Sequence, residues 1–143
     1  MVGTNGSTRN GSLTINGGTF KDVVYLPAYM IYTINGGVFE DIIDVRSGNV
    51  TISNGEFKYI GAYDVELTDE TTVNFEGYSI DLVANNGAKT GTSYGPTPVL
   101  TITGGTFAGN IGLCRTNAEY AYPTVTQTDV TVDTVELGVN AQR

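Results

Sequence analysis

Apolar residues run along this chain in pieces of three to six, and the pieces repeat. The octet Leu13-Thr-Ile-Asn-Gly-Gly-Thr-Phe20 returns as Tyr32-Thr-Ile-Asn-Gly-Gly-Val-Phe39, as Val50-Thr-Ile-Ser-Asn-Gly-Glu-Phe57 and as Leu100-Thr-Ile-Thr-Gly-Gly-Thr-Phe107. Two weaker copies, Val73-Asn-Phe-Glu-Gly-Tyr-Ser-Ile80 and Val130-Thr-Val-Asp-Thr-Val-Glu-Leu137, bring the starts to spacings of 19, 18, 23, 27 and 30 residues. Each octet reads apolar, polar, apolar, three turn residues, small, aromatic. Period-two alternation makes the first three residues a short strand with its first and third side chains on one face. Asn-Gly-Gly then tolerates positive φ and bends the chain sharply, and the Phe restarts the inward set.

A hairpin would need a matching strand directly after Asn-Gly and a period near ten residues. The observed period is about twice that, which is one turn of a solenoid whose coils bury their apolar faces by stacking. Leucine-rich repeats share the length, but their dense Leu pattern is missing. The pattern therefore predicts an all-β solenoid of about six coils, with equivalent residues stacked at about 4.8 Å. Leu13, Tyr32, Val50, Val73, Leu100 and Val130 form one inward column; Ile15, Ile34, Ile52, Phe75, Ile102 and Val132 a second; Phe20, Phe39, Phe57, Ile80, Phe107 and Leu137 a third. Lys21, Glu40, Lys58 and Asp81 are expected to alternate in charge beside them. Thr14, Thr33, Thr51, Asn74, Thr101 and Thr131 make an outward column. The whole chain reads as one domain: residues 1–12 as an N-terminal cap or docking segment, 13–137 as coils, 84–98 and 115–124 as inserted loops, and 138–143 as a tail.

Composition sharpens this picture. Nineteen Gly among 143 residues suit strands and tight turns, and no helical stripe is present. Seven basic against fifteen acidic residues give a net charge of -8, which repels phosphate backbones and anionic membrane surfaces, so neither nucleic acid nor membrane insertion is expected. No apolar run reaches the roughly 18 residues of a membrane span, and the N-terminus is not signal-like. The single Cys114 reads as a small buried hydrophobe, and without His there is no Cys/His pair or triad.

The Gly-Gly-Thr-Phe copies, with Glu70-Thr-Thr-Val-Asn-Phe-Glu-Gly-Tyr-Ser-Ile80 between them, resemble pectate-lyase-like right-handed parallel β-helices over about residues 13 to 137. The resemblance implies a single-stranded right-handed β-helix. Such repeats occur in bacterial surface proteins and adhesins, in phage spikes and other virion appendages, and in polysaccharide lyases and hydrolases. They specify a fold far better than a function.

Enzymes of that superfamily carry acid clusters on one strand face with a cation nearby. The best set here is Asp22, Asp41 and Asp44 with Arg46. Asp22 and Asp41 share a repeat position, so a Ca²⁺ site or an acid/base pair is conceivable, but turn-forming or solvated acids explain them more simply. Asp64, Glu66, Asp69 and Glu70 read as a solvated turn. Tyr94, Tyr120 and Tyr122 on the inserted loops are candidate sugar platforms, with loop packing as the simpler use. The outward Thr column suggests ice-binding arrays only weakly, because Glu76 and Asp133 interrupt its companion column. Asn5, Asn10 and Asn49 fit glycosylation sequons that such a composition produces by chance.

These readings lead to an expectation of a non-catalytic structural or adhesive module, extracellular on a virion or a bacterial surface. No cofactor, metal or catalytic residue is expected, and other protein subunits are the expected partners. The alternative is a polysaccharide-binding or polysaccharide-cleaving module that uses the acidic face.

Overall fold

A computed structural model describes residues 11–85, 96–127 and the backbone of 132–134. Every regular element among them is a strand, and the chain runs in repeating circuits. The first circuit is β1 (Ser12–Ile15), β2 (Thr19–Phe20) and β3 (Val24–Leu26); the second is β4 (Ile31–Ile34), β5 (Val38–Phe39) and β6 (Ile43–Val45). The third opens with β7 (Asn49–Ile52) and β8 (Glu56–Phe57), inserts β9 (Ala62–Glu66) and β10 (Thr72–Glu76), and closes with β11 (Tyr78–Ala84). Then come β12 (Val99–Ile102), β13 (Thr106–Phe107) and β14 (Asn110–Arg115), and finally β15 (Thr124–Gln127) and β16 (Val132–Thr134).

Each of the first four circuits adds one strand to each of three parallel sheets, and β15 and β16 extend two of them. Sheet 1 is β1-β4-β7-β12-β15, sheet 2 is β2-β5-β8-β13, and sheet 3 is β3-β6-β11-β14-β16. The fold is thus all-β with mostly parallel pairing, the exception being the antiparallel β9–β10 hairpin. Among the described residues no helix is long and apolar enough to cross a membrane.

The expected columns are real where the octets are strong. Leu13, Tyr32, Val50 and Leu100 are register partners, as are Ile15, Ile34, Ile52 and Ile102. Phe20, Phe39, Phe57 and Phe107 stack as nearly parallel rings with centroids 4.6–4.8 Å apart. That distance is the strand spacing itself, so each ring rides on its own strand without tilting. The sharp bend before each ring demands glycine: Gly18, Gly37, Gly55 and Gly105 all have φ between 103° and 138°. Tyr32 fits the same apolar column because its buried hydroxyl donates to the Ala28 carbonyl at 2.8 Å.

The two weak octets behave differently. Val73 and Phe75 lie in β10, opposite Val65 and Tyr63, and Ile80 lies in sheet 3 rather than in the Phe column. Thr72–Glu76 alternates in the same way as Ala62–Glu66 just upstream, so local antiparallel pairing across a short turn wins over pairing with a distant coil. At the other end Val125, not Val130, partners Leu100, and Val132 joins sheet 3 against Ile111. Thr124 belongs to this strand rather than to a loop. Val130, Thr131 and Leu137 lie outside the described residues. Among the described residues sheets 1 and 3 each hold five strands and sheet 2 holds four.

Two side columns change with the register. Asp81 sits in sheet 3, and Ala108 follows Lys58 in the charge column; Lys58 instead approaches Glu56, two residues before it, at 3.9 Å, both exposed. Asn74 lies in the hairpin and Thr131 outside the described residues, and the Thr column runs unbroken through Thr14, Thr33, Thr51, Thr101 and Thr126. Glu76 lies in the hairpin and Asp133 in sheet 3, so neither interrupts the companion column. That column spends its polar groups on itself: Asn35 Nδ2 donates to Asn16 Oδ1 at 3.0 Å, and Ser53 Oγ donates to Asn35 Oδ1 at 2.8 Å.

Phe57→Ala, in the middle of the aromatic file, is expected to lower the unfolding free energy by about 3–5 kcal/mol, the cost of a core Phe. Phe20→Ala, at the half-exposed end, costs clearly less. Urea denaturation of the two variants checks the order.

Candidate functional site

The densest chemistry lies on the outer face of sheet 3. Val24 and Leu26 point inward, as do Ile43 and Val45, Ile80 and Leu82, and Ile111, all in one buried core. Alternation then turns the residues between them outward. The outward row reads Tyr25, Asp44, Asp81 and Gly112, residue over residue. On an open sheet these positions would be wet. Here the β9–β10 hairpin folds over them, packing Val65, Leu67, Val73 and Phe75 against Val83 and Cys114 in a second core. Gly112 lets it approach: a Cβ there would meet the Phe75 ring at 2.7 Å.

Under this cover Asp44 and Asp81 are both 0% exposed. Asp44 is fully partnered. Arg46 Nε donates to its Oδ1 at 2.6 Å and the Tyr63 hydroxyl to its Oδ2 at 2.7 Å. Arg46 shares the face because it lies two residues on, and its Nη1 donates to Asn85 Oδ1 at 2.9 Å while the guanidinium stands 5.9 Å from the centre of the Tyr25 ring. Asp81 is the opposite case, since no other group bonds either of its carboxylate oxygens. Burial, and next the charge of Asp44, push its pKa well above the carboxylate range, against weaker pulls from Arg46 and its own amide. Burial is also the main reason why the Tyr63 hydroxyl titrates high and why the Cys114 thiol is pushed up to about 12. Arg46 stays charged, because Asp44 more than offsets the burial that opposes it. Cys114 is therefore no nucleophile at neutral pH.

Of the expected acidic set, Asp44 and Arg46 form an ion pair, with Asp44 fully buried, while Asp22 and Asp41 align apart from it. Asp22 is exposed. Asp41 is half-buried and accepts the Ile42 backbone N–H at 2.7 Å, a turn role. The two occupy equivalent places, because Phe20 over Phe39 and Val24 over Ile43 carry the same offset on either side. Tyr59 follows in that line; burial and the Asp41 charge raise its pKa. Tyr120 is buried and its carbonyl accepts Arg115 Nη1 at 2.9 Å, while the Arg115 guanidinium covers the half-buried Tyr122 ring at 4.5 Å. Both tyrosines thus pack their loop. Tyr94 lies outside the described residues. Asp64 and Glu66 are exposed on β9, and Asp69 accepts the Thr71 amide and hydroxyl in the hairpin turn, which lowers its pKa.

Tyr63, Tyr25 and Asn85 were not singled out in the sequence, and Asp81 was expected in the charge column rather than at this site. A signal existed: Ile80-Asp-Leu82 copies Ile43-Asp-Val45. Among the described residues no group of three or more His, Cys, Asp and Glu is placed to hold a metal ion. The arrangement is an electrostatic cluster of two buried carboxyls and one largely buried guanidinium beneath the hairpin.

Removing one partner of a buried pair leaves the other uncompensated. Arg46→Met is expected to cost about 3–5 kcal/mol of stability, and Tyr63→Phe, which deletes one hydrogen bond to a charged group, about 1.5–3 kcal/mol. Chemical denaturation of both variants measures the difference. Comparison with family models, with curated proteins and with solved structures found no match to the chain, so its function is argued from geometry.

Proposed function

We propose that the chain is a right-handed parallel β-helix that acts as a non-catalytic structural or adhesive module of a virion or a bacterial cell surface, assembled with other subunits. Three sheets visited in turn, with like residues stacked from circuit to circuit, support the β-helix. The state of the first circuit carries the assembly reading. Among the described residues β1, β2 and β3 each have a neighbouring strand on one side only. Leu13, Ile15 and Phe20 are half-buried there, whereas their partners Tyr32, Ile34 and Phe39 are each 1% exposed. Open parallel edges beside half-covered core residues are a template for another chain. The closed Asp44–Arg46 pair supports the absence of catalysis at that face.

Sedimentation of the purified protein over a wide concentration range tests assembly. Association that is lost in Leu13→Lys is the expected outcome; a monomer at every concentration and with every candidate partner subunit would count against it. The aligned acids Asp22 and Asp41, which stay outside the closed cluster, support the second reading of a polysaccharide module. A panel of acidic polysaccharides tests this: binding or release of oligosaccharide that vanishes in Asp41→Ala would favour it over the first.

A further inference from the structure

We propose that the β9–β10 hairpin is a proton-latched flap, closed over sheet 3 while the buried Asp81 carboxyl beside the Asp44–Arg46 pair keeps its proton and lifted when that proton is lost to water. Register sets the geometry, because Asp44 and Asp81 are direct partners on neighbouring parallel strands, both fully buried beneath the hairpin. One guanidinium faces two carboxyls. With Asp81 neutral the layer is balanced by the Asp44–Arg46 pair. With Asp81 ionised it holds an uncompensated negative charge shielded from bulk solvent, and no other group supplies Asp81 with a hydrogen bond.

The groups facing Asp81 are Asp44 on β6, Arg46 just beyond it, Cys114 on β14 and Tyr63 on the flap, while Tyr25 on β3 lies one strand further, beside Asp44. Asp133 occupies the position of the row beyond Gly112. Arg46 is the cation among those facing groups that the cluster uses.

The hairpin is built to move as a unit. It has its own two-stranded pairing, with Gly61 and Gly77 at its base, the latter at φ 88°. Ser79 clamps the stack just past the base: its hydroxyl donates to the Tyr59 carbonyl at 2.9 Å and accepts the Gly109 N–H at 2.8 Å. Beyond the base, lifting breaks the Tyr63–Asp44 bond, the Thr68 contacts with the Thr116 carbonyl and Asn117, and the second core. Sheets 1 and 2 lose nothing.

The sign follows from linkage. The closed state holds the Asp81 proton to higher pH than the open state, where the side chain meets water and returns toward its ordinary value of 3.8. Closure is therefore most favourable below that value and weakens as pH rises toward the closed-state pKa, by at most about tenfold per pH unit for one proton.

Amide hydrogen exchange from pH 4 to 9, corrected for intrinsic rates, tests the flap. Protection of β9 and β10 is expected to fall with rising pH while β4, β7 and β12 stay better protected; in Asp81→Asn the hairpin protection becomes independent of pH. Tyr63→Phe retains the carboxyl pair and should lower hairpin protection at every pH with the wild-type slope. Modification of Cys114, buried under the flap, gives a second readout: the wild-type rate divided by the Asp81→Asn rate rises with pH. A flat wild-type profile, an equal slope in Asp81→Asn, or loss of protection in hairpin and sheet 1 together would each overturn the proposal. None of these results depends on whether the chain assembles, so the flap and the assembly reading fail separately.

Discussion

When β1, β4, β7 and β12 pair in parallel at one residue-for-residue register, each side chain must meet its own equivalent from the neighbouring circuit. An Ile therefore packs on an Ile and a Phe on a Phe, and any residue unsuited to stacking on itself is penalised in every circuit that carries it. The Phe file is the clearest product of this constraint, with ring planes within 6° of parallel over four circuits. The glycines at positive φ serve the same end, since a bend of one shape must recur in each circuit if the rings are to stay in line. Stability is therefore shared along the stack, each circuit completing the burial of the one before.

A stack of this kind tolerates an insertion only where the extra chain leaves the cylinder and returns to the same register. The hairpin meets that condition. It departs after β8 and rejoins at β11, which pairs with both β6 and β14 as an uninterrupted circuit would. Its apolar face then needs cover, and the outer side of sheet 3 supplies Val83 and Cys114. The consequence is the burial of two acids that a bare sheet would expose. Such a cluster is poor value as a source of stability, because desolvation offsets most of the attraction. It does define where the hairpin sits: Tyr63 reaches Asp44 and Phe75 reaches Gly112 in one docking position.

The readable part of the sequence was the part in which local and stacked preferences agree. In the four strong octets, alternation, turn chemistry and the aromatic all predict the same circuit, and the columns follow. Val73–Ile80 satisfied the apolar positions but not the Asn-Gly-Gly turn, and its alternation was equally good for pairing with Ala62–Glu66. Strand length and turn composition could have raised that alternative; the octet template hid it. Val130–Leu137 failed for a related reason, since Thr124-Val-Thr-Gln127 offers sheet 1 a β-branched run that comes earlier in the chain. The Asp44–Arg46 pairing was legible from their two-residue spacing. Its burial was not, because the cover comes from a hairpin that the repeat reading had spent on a coil.

The sides and the ends of this molecule face different physical demands. Along sheet 1 the outward columns carry Thr, Asn and Ser, which solvate the face or bond along the column, and sheet 3 has its hairpin. Growth by circuits has no such natural stop, because the backbone groups that close one rung are the ones the next rung needs. An end must therefore be covered by something that differs from another circuit, or be continued by one. In the first circuit Leu13, Ile15 and Phe20 remain partly exposed while its strands keep full register with the second, so among the described residues the ladder is intact through this circuit. On the proposed reading a partner contributes the missing rung, and the specificity of that contact resides in the file it has to extend: Leu13, Ile15 and Phe20, whose spacing is already set by the circuits behind them.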